Sequence, residues 1–192
     1  MATEKGSVDV TAHASFLDEP RWRGKLFSGG WRTSSGTTRT VVEPATGARL
    51  SEVGIATPSD VAAATTAAAA AQIAWVAMPY EERAGILRRA GRIFEDHAQE
   101  LIGWIVRETG SIPPKAEVEV RAATGILSLA STMPTEPQGL VLPSNGGRIS
   151  MARRIPHGVV GVISPFNFPL ILSIRAIAPA LATGNAVVHK PD

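Results

Sequence analysis

No cysteine occurs in the 192 residues. That absence excludes disulfides, thiolate metal sites and a cysteine nucleophile within this stretch. Neither sign of charge dominates, with 19 Lys and Arg against 17 Asp and Glu for a net +2. No dense basic run stands out beyond Arg153-Arg154 with Arg148 nearby, so nothing points to nucleic acid. Arg175 interrupts the longest apolar stretch after Gly158, and no stretch is expected to reach the roughly 18 residues of a membrane span. The opening MATEKGSVDVTAHASF lacks the charged-then-apolar pattern of a signal peptide. The expectation is a cytoplasmic protein without nucleic-acid or membrane partners. His157 and His189 have no spaced partners that would make a metal set, so no metal site is expected.

What is present is enough for a core. The hydrophobic share of 44% argues against disorder, and the length suggests one domain or slightly more. Residues 1–24 read as a flexible N-terminus, polar and aperiodic as far as about Pro20, with order expected from near Lys25. Residues 25–138 then form a part with short strands and helices. Leu26-Phe27 with Trp31, and Thr38 to Glu43, carry β-branched and aromatic residues around Gly29-Gly30 and Ser34-Ser35-Gly36, the pattern of a hairpin. Pro44 to Gly47 marks a further turn.

Four helices follow. Ser59 caps an alanine-rich run from Val61 to Val76, and Asp60 suits its positive end. Pro79 opens a second helix, in which Ile86, Leu87, Ile93 and Phe94 repeat near helical spacing while Arg88, Arg89 and Arg92 point to water. A third places Leu101, Ile102, Ile105 and Val106 on one face and stops at Gly110. Pro113-Pro114 begins a fourth, to about Met133. Residues 139–157 read as an exposed hairpin turning at Ser144-Asn145-Gly146-Gly147.

Residues 158–192 carry the chemistry. Val159 to Ile163 is apolar without alternation, as in a parallel strand buried on both faces. Ser164-Pro165-Phe166-Asn167-Phe168-Pro169 cannot continue it, and Pro169 suits a first helical position. The helix runs to Ala182, Gly184-Asn185 ends it, and Ala186 to His189 is a second apolar strand before Lys190-Pro191-Asp192. Strand, helix and strand of these lengths form a right-handed crossover with parallel strands. Ligands in such sheets bind beyond the carboxyl ends of the strands, which places Ser164 to Asn167 and Lys190 to Asp192 on one rim. The G-x-G-x-x-G fingerprint is absent, so a pyrophosphate does not approach this turn in the ordinary way. Lys190 stands roughly where that fingerprint has its ribose-binding acid, and an ammonium can meet ribose hydroxyls or a 2'-phosphate.

The residues G-V-V-G-V-I-S-P-F-N-F-P-L, then A-P-A-L-A-T-G-N-A-V-V-H-K-P, resemble the cofactor-domain signature of the aldehyde dehydrogenase superfamily. The likeness extends back through E-P-A-T-G (43–47), the alanine-rich helix, P-Y-E-E-R-A-G-I-L-R-R-A (79–90) and R-E-T-G-S (107–111). It covers nearly everything from about Leu26 onward, and Thr109 to Lys115, Ile163 to Pro169 and Lys190 to Asp192 look most like the benzaldehyde branch. The implied fold class is α/β: an incomplete Rossmann-like cofactor domain with an N-terminal helical region and a hairpin oligomerisation arm.

The resemblance implies residue roles. Asn167 matches the asparagine that holds the aldehyde oxygen as negative charge develops. On the residues alone it serves equally well as part of a Pro-flanked turn. Lys190 matches the lysine that contacts the adenosine ribose, with Pro191 and Asp192 in the next loop. Alone, it reads as a solvated strand end. Ser164, Pro165 and Phe166 would line the cofactor cleft, Phe166 standing where the family more often has tryptophan. Phe168, Ile171, Leu172 and Arg175, at i, i+3, i+4 and i+7, would border the aldehyde tunnel. Such a stripe serves a plain core as readily. Glu108 and the pair Glu117 and Glu119 read as helix features, because the family's glutamate base lies in a later stretch.

The implied reaction is attack of a cysteine thiolate on an aldehyde, hydride transfer to NAD or NADP, and release of the acid by water. With no cysteine and an end at Asp192, the chain alone is expected to be inactive and to represent an N-terminal portion. The complete protein is expected to be a homodimer or higher oligomer acting on an aromatic aldehyde such as benzaldehyde. Two alternatives stand beside this: a non-catalytic fragment or pseudoenzyme that assembles with a full-length partner, and a semialdehyde dehydrogenase.

Overall fold

The structure, a computed structural model, describes residues 19–192. Most of the segment expected to be flexible, residues 1–18, lies outside the described residues. Order begins before Lys25: a single helical turn, α1 (Glu19–Trp22), precedes the first strand, and the Trp22 ring meets Trp104 edge-on at 5.8 Å. Contact between these two half-buried indoles holds the turn at Glu19–Trp22 in place.

The expected hairpin is two. Strand β1 (Lys25–Phe27) pairs antiparallel with β2 (Trp31–Thr33) across Gly29-Gly30. Strand β3 (Thr38–Val42) pairs with β4 (Arg49–Gly54) across the turn at Pro44 to Gly47.

Helix α2 (Pro58–Ala77) starts two residues earlier than a cap at Ser59 would have it. Its cap is Thr57, whose Oγ1 accepts from the Asp60 amide at 3.2 Å while Asp60 Oδ2 accepts from the Thr57 amide at 2.8 Å. This reciprocal pair is a capping box with an aspartate in place of the usual glutamate. The expectation that no apolar stretch approaches a membrane span needs correction here: α2 has 20 residues with a mean hydropathy of 1.2. Alanine supplies that hydropathy. The polar groups near its end are spent on protein, for Gln72 Nε2 donates to Gly184 O at 2.8 Å and Trp75 Nε1 to Leu181 O at 2.9 Å.

Helices α3 (Tyr80–Asp96), α4 (Ala98–Thr109) and α5 (Pro113–Ala130) follow, and Gly110, at φ 67°, closes α4 in the left-handed conformation expected of it. Arg88, Arg89 and Arg92 are exposed as read, and so is Ile93, which the apolar face was expected to include. Strands β5 (Gly139–Leu142) and β6 (Ser150–Arg153) form the expected antiparallel arm.

Strand β7 (Val159–Ile163) runs parallel to β8 (Ala186–Lys190), joined by α6 (Pro169–Ala182). The core lies where α6 meets the preceding helices. One cluster joins Leu87 of α3, Leu127 and Ala130 of α5, and Ala178 and Ala182 of α6. Another joins Leu101 and Ile105 of α4 to Ala116 and Val120 of α5, with Leu170 of α6 against it. Alanines at the α5–α6 contact let the helices approach closely, so the crossover helix is seated on a helical platform.

Candidate functional site

Parallel register places the two carboxyl strand ends side by side: Ile163 pairs with Lys190, and the Ser164 amide donates to Lys190 O at 3.1 Å. Ser164 itself is only 3% exposed. Its Oγ lies 2.8 Å from His189 Nε2 and 2.7 Å from Ser173 Oγ, and Ser173 Oγ reaches Pro169 O at 2.5 Å. One polar knot thus ties the end of β7, the first turns of α6 and the end of β8. Partial burial, and secondarily the Lys190 ammonium beside it, hold His189 below the ordinary imidazole range, which favours a neutral ring able to accept from a serine. With its hydroxyl inside this knot, Ser164 presents backbone to the rim and not its side chain. His189, read as merely structural, is the bridge of the knot.

Beyond Ser164 the chain turns outward. Pro165, Phe166 and Asn167 are exposed, and among the described residues the Asn167 side chain takes no hydrogen-bond partner. This amide is free to face a ligand.

The start of α6 has an anchor that the residue pattern concealed. Glu119 Oε1 accepts from the amides of Leu170 at 2.7 Å and Ile171 at 3.3 Å, while Glu119 Oε2 pairs with Lys115 Nζ at 2.7 Å. The same ammonium stands 4.3 Å from the centre of the Phe168 ring. Glu117 and Glu119 therefore part ways: the first is exposed, the second is 0% exposed. The spacing of Ala116, Glu119, Val120, Ala123 and Leu127 puts an acid on an otherwise apolar helix face, but a lysine four residues before it is equally the mark of a solvated ion pair, so the pattern did not single it out. Because α6 already holds a carboxylate at its positive end, a cofactor pyrophosphate has no vacant helix terminus here. That agrees with the missing glycine fingerprint.

Phe168, Ile171 and Leu172 are half-buried and Arg175 is exposed, and all four lie outside the two apolar clusters, which take Leu170, Ile174, Ala178, Leu181 and Ala182 from α6. The stripe is a second face of the helix, not part of the platform contact. Lys190, Pro191 and Asp192 are exposed beside the turn. A separate hollow, lined by residues including Met133, Arg154, His157 and Asn185, sits at the amino ends of the strands and holds none of the rim residues.

A parallel crossover with a helix packed against it defines an α/β protein. Residues 31–192 match the model of the aldehyde dehydrogenase family, and the chain belongs to that family. It is 55% identical over 178 residues to a vanillin dehydrogenase of Amycolatopsis sp., covering 93% of this chain and 37% of that protein. To the NAD(+) benzaldehyde dehydrogenase of Pseudomonas putida it is 44% identical over 176 residues, or 91% of this chain and 36% of the relative. The solved NAD-dependent benzaldehyde dehydrogenase of Corynebacterium glutamicum superposes with a TM-score of 0.84 at 41% identity, over 88% of this chain and 37% of that one. The chain spans about 37% of the length of these relatives.

Proposed function

We propose that this chain forms part of an enzyme that oxidises an aromatic aldehyde, of the benzaldehyde or vanillin kind, to its acid with hydride transfer to NAD or NADP. The observation that carries the reading is the exposed, unpartnered amide of Asn167 at the end of the crossover strand, held on a turn that is anchored on both sides. A neutral N–H aimed at a carbonyl oxygen stabilises the oxyanion without any change of protonation. The names of the most similar relatives support the aromatic class.

NAD or NADP, when bound, supplies the hydride acceptor. The exposed Lys190 ammonium and the Phe166 ring beside Pro165 fit the ribose and adenine half, with Pro191 and Asp192 continuing that edge. Phe168, Ile171, Leu172 and Arg175 offer an apolar wall ending in a cation for the aldehyde. With no cysteine in its sequence, the 192-residue chain orients substrate and cofactor but is inactive by itself. The apolar arm β5–β6 supports assembly of the complete protein as a homodimer or higher oligomer in the cytoplasm.

In the full-length enzyme, Asn167→Ala lowers kcat for benzaldehyde about a hundredfold, as loss of one oxyanion donor does elsewhere. An unchanged kcat, with the chemical step shown to limit turnover, overturns the role. Initial rates on benzaldehyde well above those on succinic semialdehyde are expected, and the reverse order would place the enzyme in the semialdehyde branch.

A further inference from the structure

Glu119 is fully buried. Removing a carboxylate from water is unfavourable unless each oxygen is matched, and an apolar residue of similar size would fill the space between α5 and α6 at lower cost. Both oxygens are matched here, and both partners bear on the same short segment. One oxygen takes the amides of Leu170 and Ile171, three and four residues after Asn167. The other holds Lys115, whose ammonium lies over the ring of Phe168, the residue next to Asn167.

The opposite side of the turn is held by the Ser164–Ser173–His189 knot, three residues before Asn167. The Asn167 side chain makes no bond to its own turn, so the direction of its amide is set by the backbone at these two anchors. A side chain without an acceptor at position 119 would leave the first amides of α6 unmatched and Lys115 without its partner, and the helix start would be free to slide or rotate.

We infer that Glu119, braced by Lys115, is the positioning residue that aims Asn167 at the aldehyde oxygen. The inference rests on the oxyanion reading of Asn167. Glu119 touches neither substrate nor cofactor, so its effect passes through Asn167 and vanishes where Asn167 is absent.

The test is a double-mutant cycle in the full-length enzyme, reading single-turnover acid formation from benzaldehyde together with KM for NAD. Glu119→Ala slows the chemical step about a hundredfold, the size of effect a displaced catalytic group produces. Glu119→Gln, whose amide oxygen still accepts from Leu170 and Ile171, recovers most of the rate. KM for NAD stays as in the parent, and Glu117→Gln, on the exposed side of α5, changes nothing. The variant with both Glu119→Ala and Asn167→Ala is no slower than Asn167→Ala alone.

If Glu119→Ala slows the Asn167→Ala enzyme by the same factor as the parent, Glu119 is a general stability element and the inference is overturned. If Asn167→Ala alone leaves the rate unchanged, the oxyanion reading fails first and takes this inference with it. Should Glu119→Ala not fold, Glu119→Leu, which fills the same space without an acceptor, gives the same two readings in the same cycle.

Discussion

At the scale of single residues, the rim depends on which polar groups are satisfied and which are left open. Ser164, Ser173 and His189 satisfy one another, and Asn167 is left open. The His189 ring is held below the ordinary 6.5 by burial first and Lys190 second. Its contribution to stability has a definite sign. Between 6.5 and the lower native value the unfolded chain binds more protons than the folded one, so stability falls as pH drops through that window and levels off beneath it. A proton NMR titration of the His189 imidazole should give a midpoint below 6.5, and a midpoint at or above 6.5 would contradict the knot. In His189→Gln, which keeps an acceptor and cannot titrate, this part of the pH dependence of melting should disappear. The positions of Asn167 and Lys190 at the ends of neighbouring strands were legible in the sequence because the strand, helix and strand pattern surrounds them. Glu119 was not, since i,i+4 pairing with Lys115 looks the same on a solvated helix face as in a buried one.

Among elements, helix starts and stops were the most readable features, because proline and glycine act locally. Pro79, Gly110, Pro113 and Pro169 all mark ends where the structure has them. The cap of α2 was misplaced by two residues because Ser59 and Thr57 are equally suitable hydroxyls, and only the side chain of Asp60 reaching back to the Thr57 amide decides between them. The single expected hairpin became two because pairing partners are chosen by register, which turn residues alone do not encode. Gly184 tests the junction of α6 with α2. Its φ of 89° suits glycine, and a Cβ there would lie 3.0 Å from Val76 Cγ2. Gly184→Ala should lower the stability of the protein by about 1–2 kcal/mol from the backbone conformation alone. Thermal melting checks it, and adding Val76→Ala should restore only the steric part. Melting that matches the parent would mean that α2 and α6 shift apart freely at this contact.

Large apolar side chains stand exposed in several places among the described residues. Leu140 is 66% exposed, Val141 76% and Met151 70%, all on the β5–β6 arm, and Ile163 at the end of β7 is 81% exposed. An open strand with apolar side chains is a template for further pairing. A polypeptide of residues 1–192 should therefore self-associate in sedimentation velocity, and Val141→Lys with Met151→Lys should reduce the association. A monodisperse monomer that melts cooperatively would count against it. The exposed arm was legible from its turn residues Ser144 to Gly147, whereas the exposure of Ile163 was not, because an open and a buried strand use the same apolar residues. The platform under α6 has one more consequence. Its grips reach across 51 residues from Glu119 and 106 to 112 residues from Trp75 and Gln72, and all of them lie upstream of the segment they hold. As the chain leaves the ribosome, helices α2 to α5 emerge first and can assemble before the crossover is made. The turn before α6 is then threaded into a cradle that is already standing, so a pause in synthesis after Ala130 would help the turn form, while one inside α5 would leave it without its anchor.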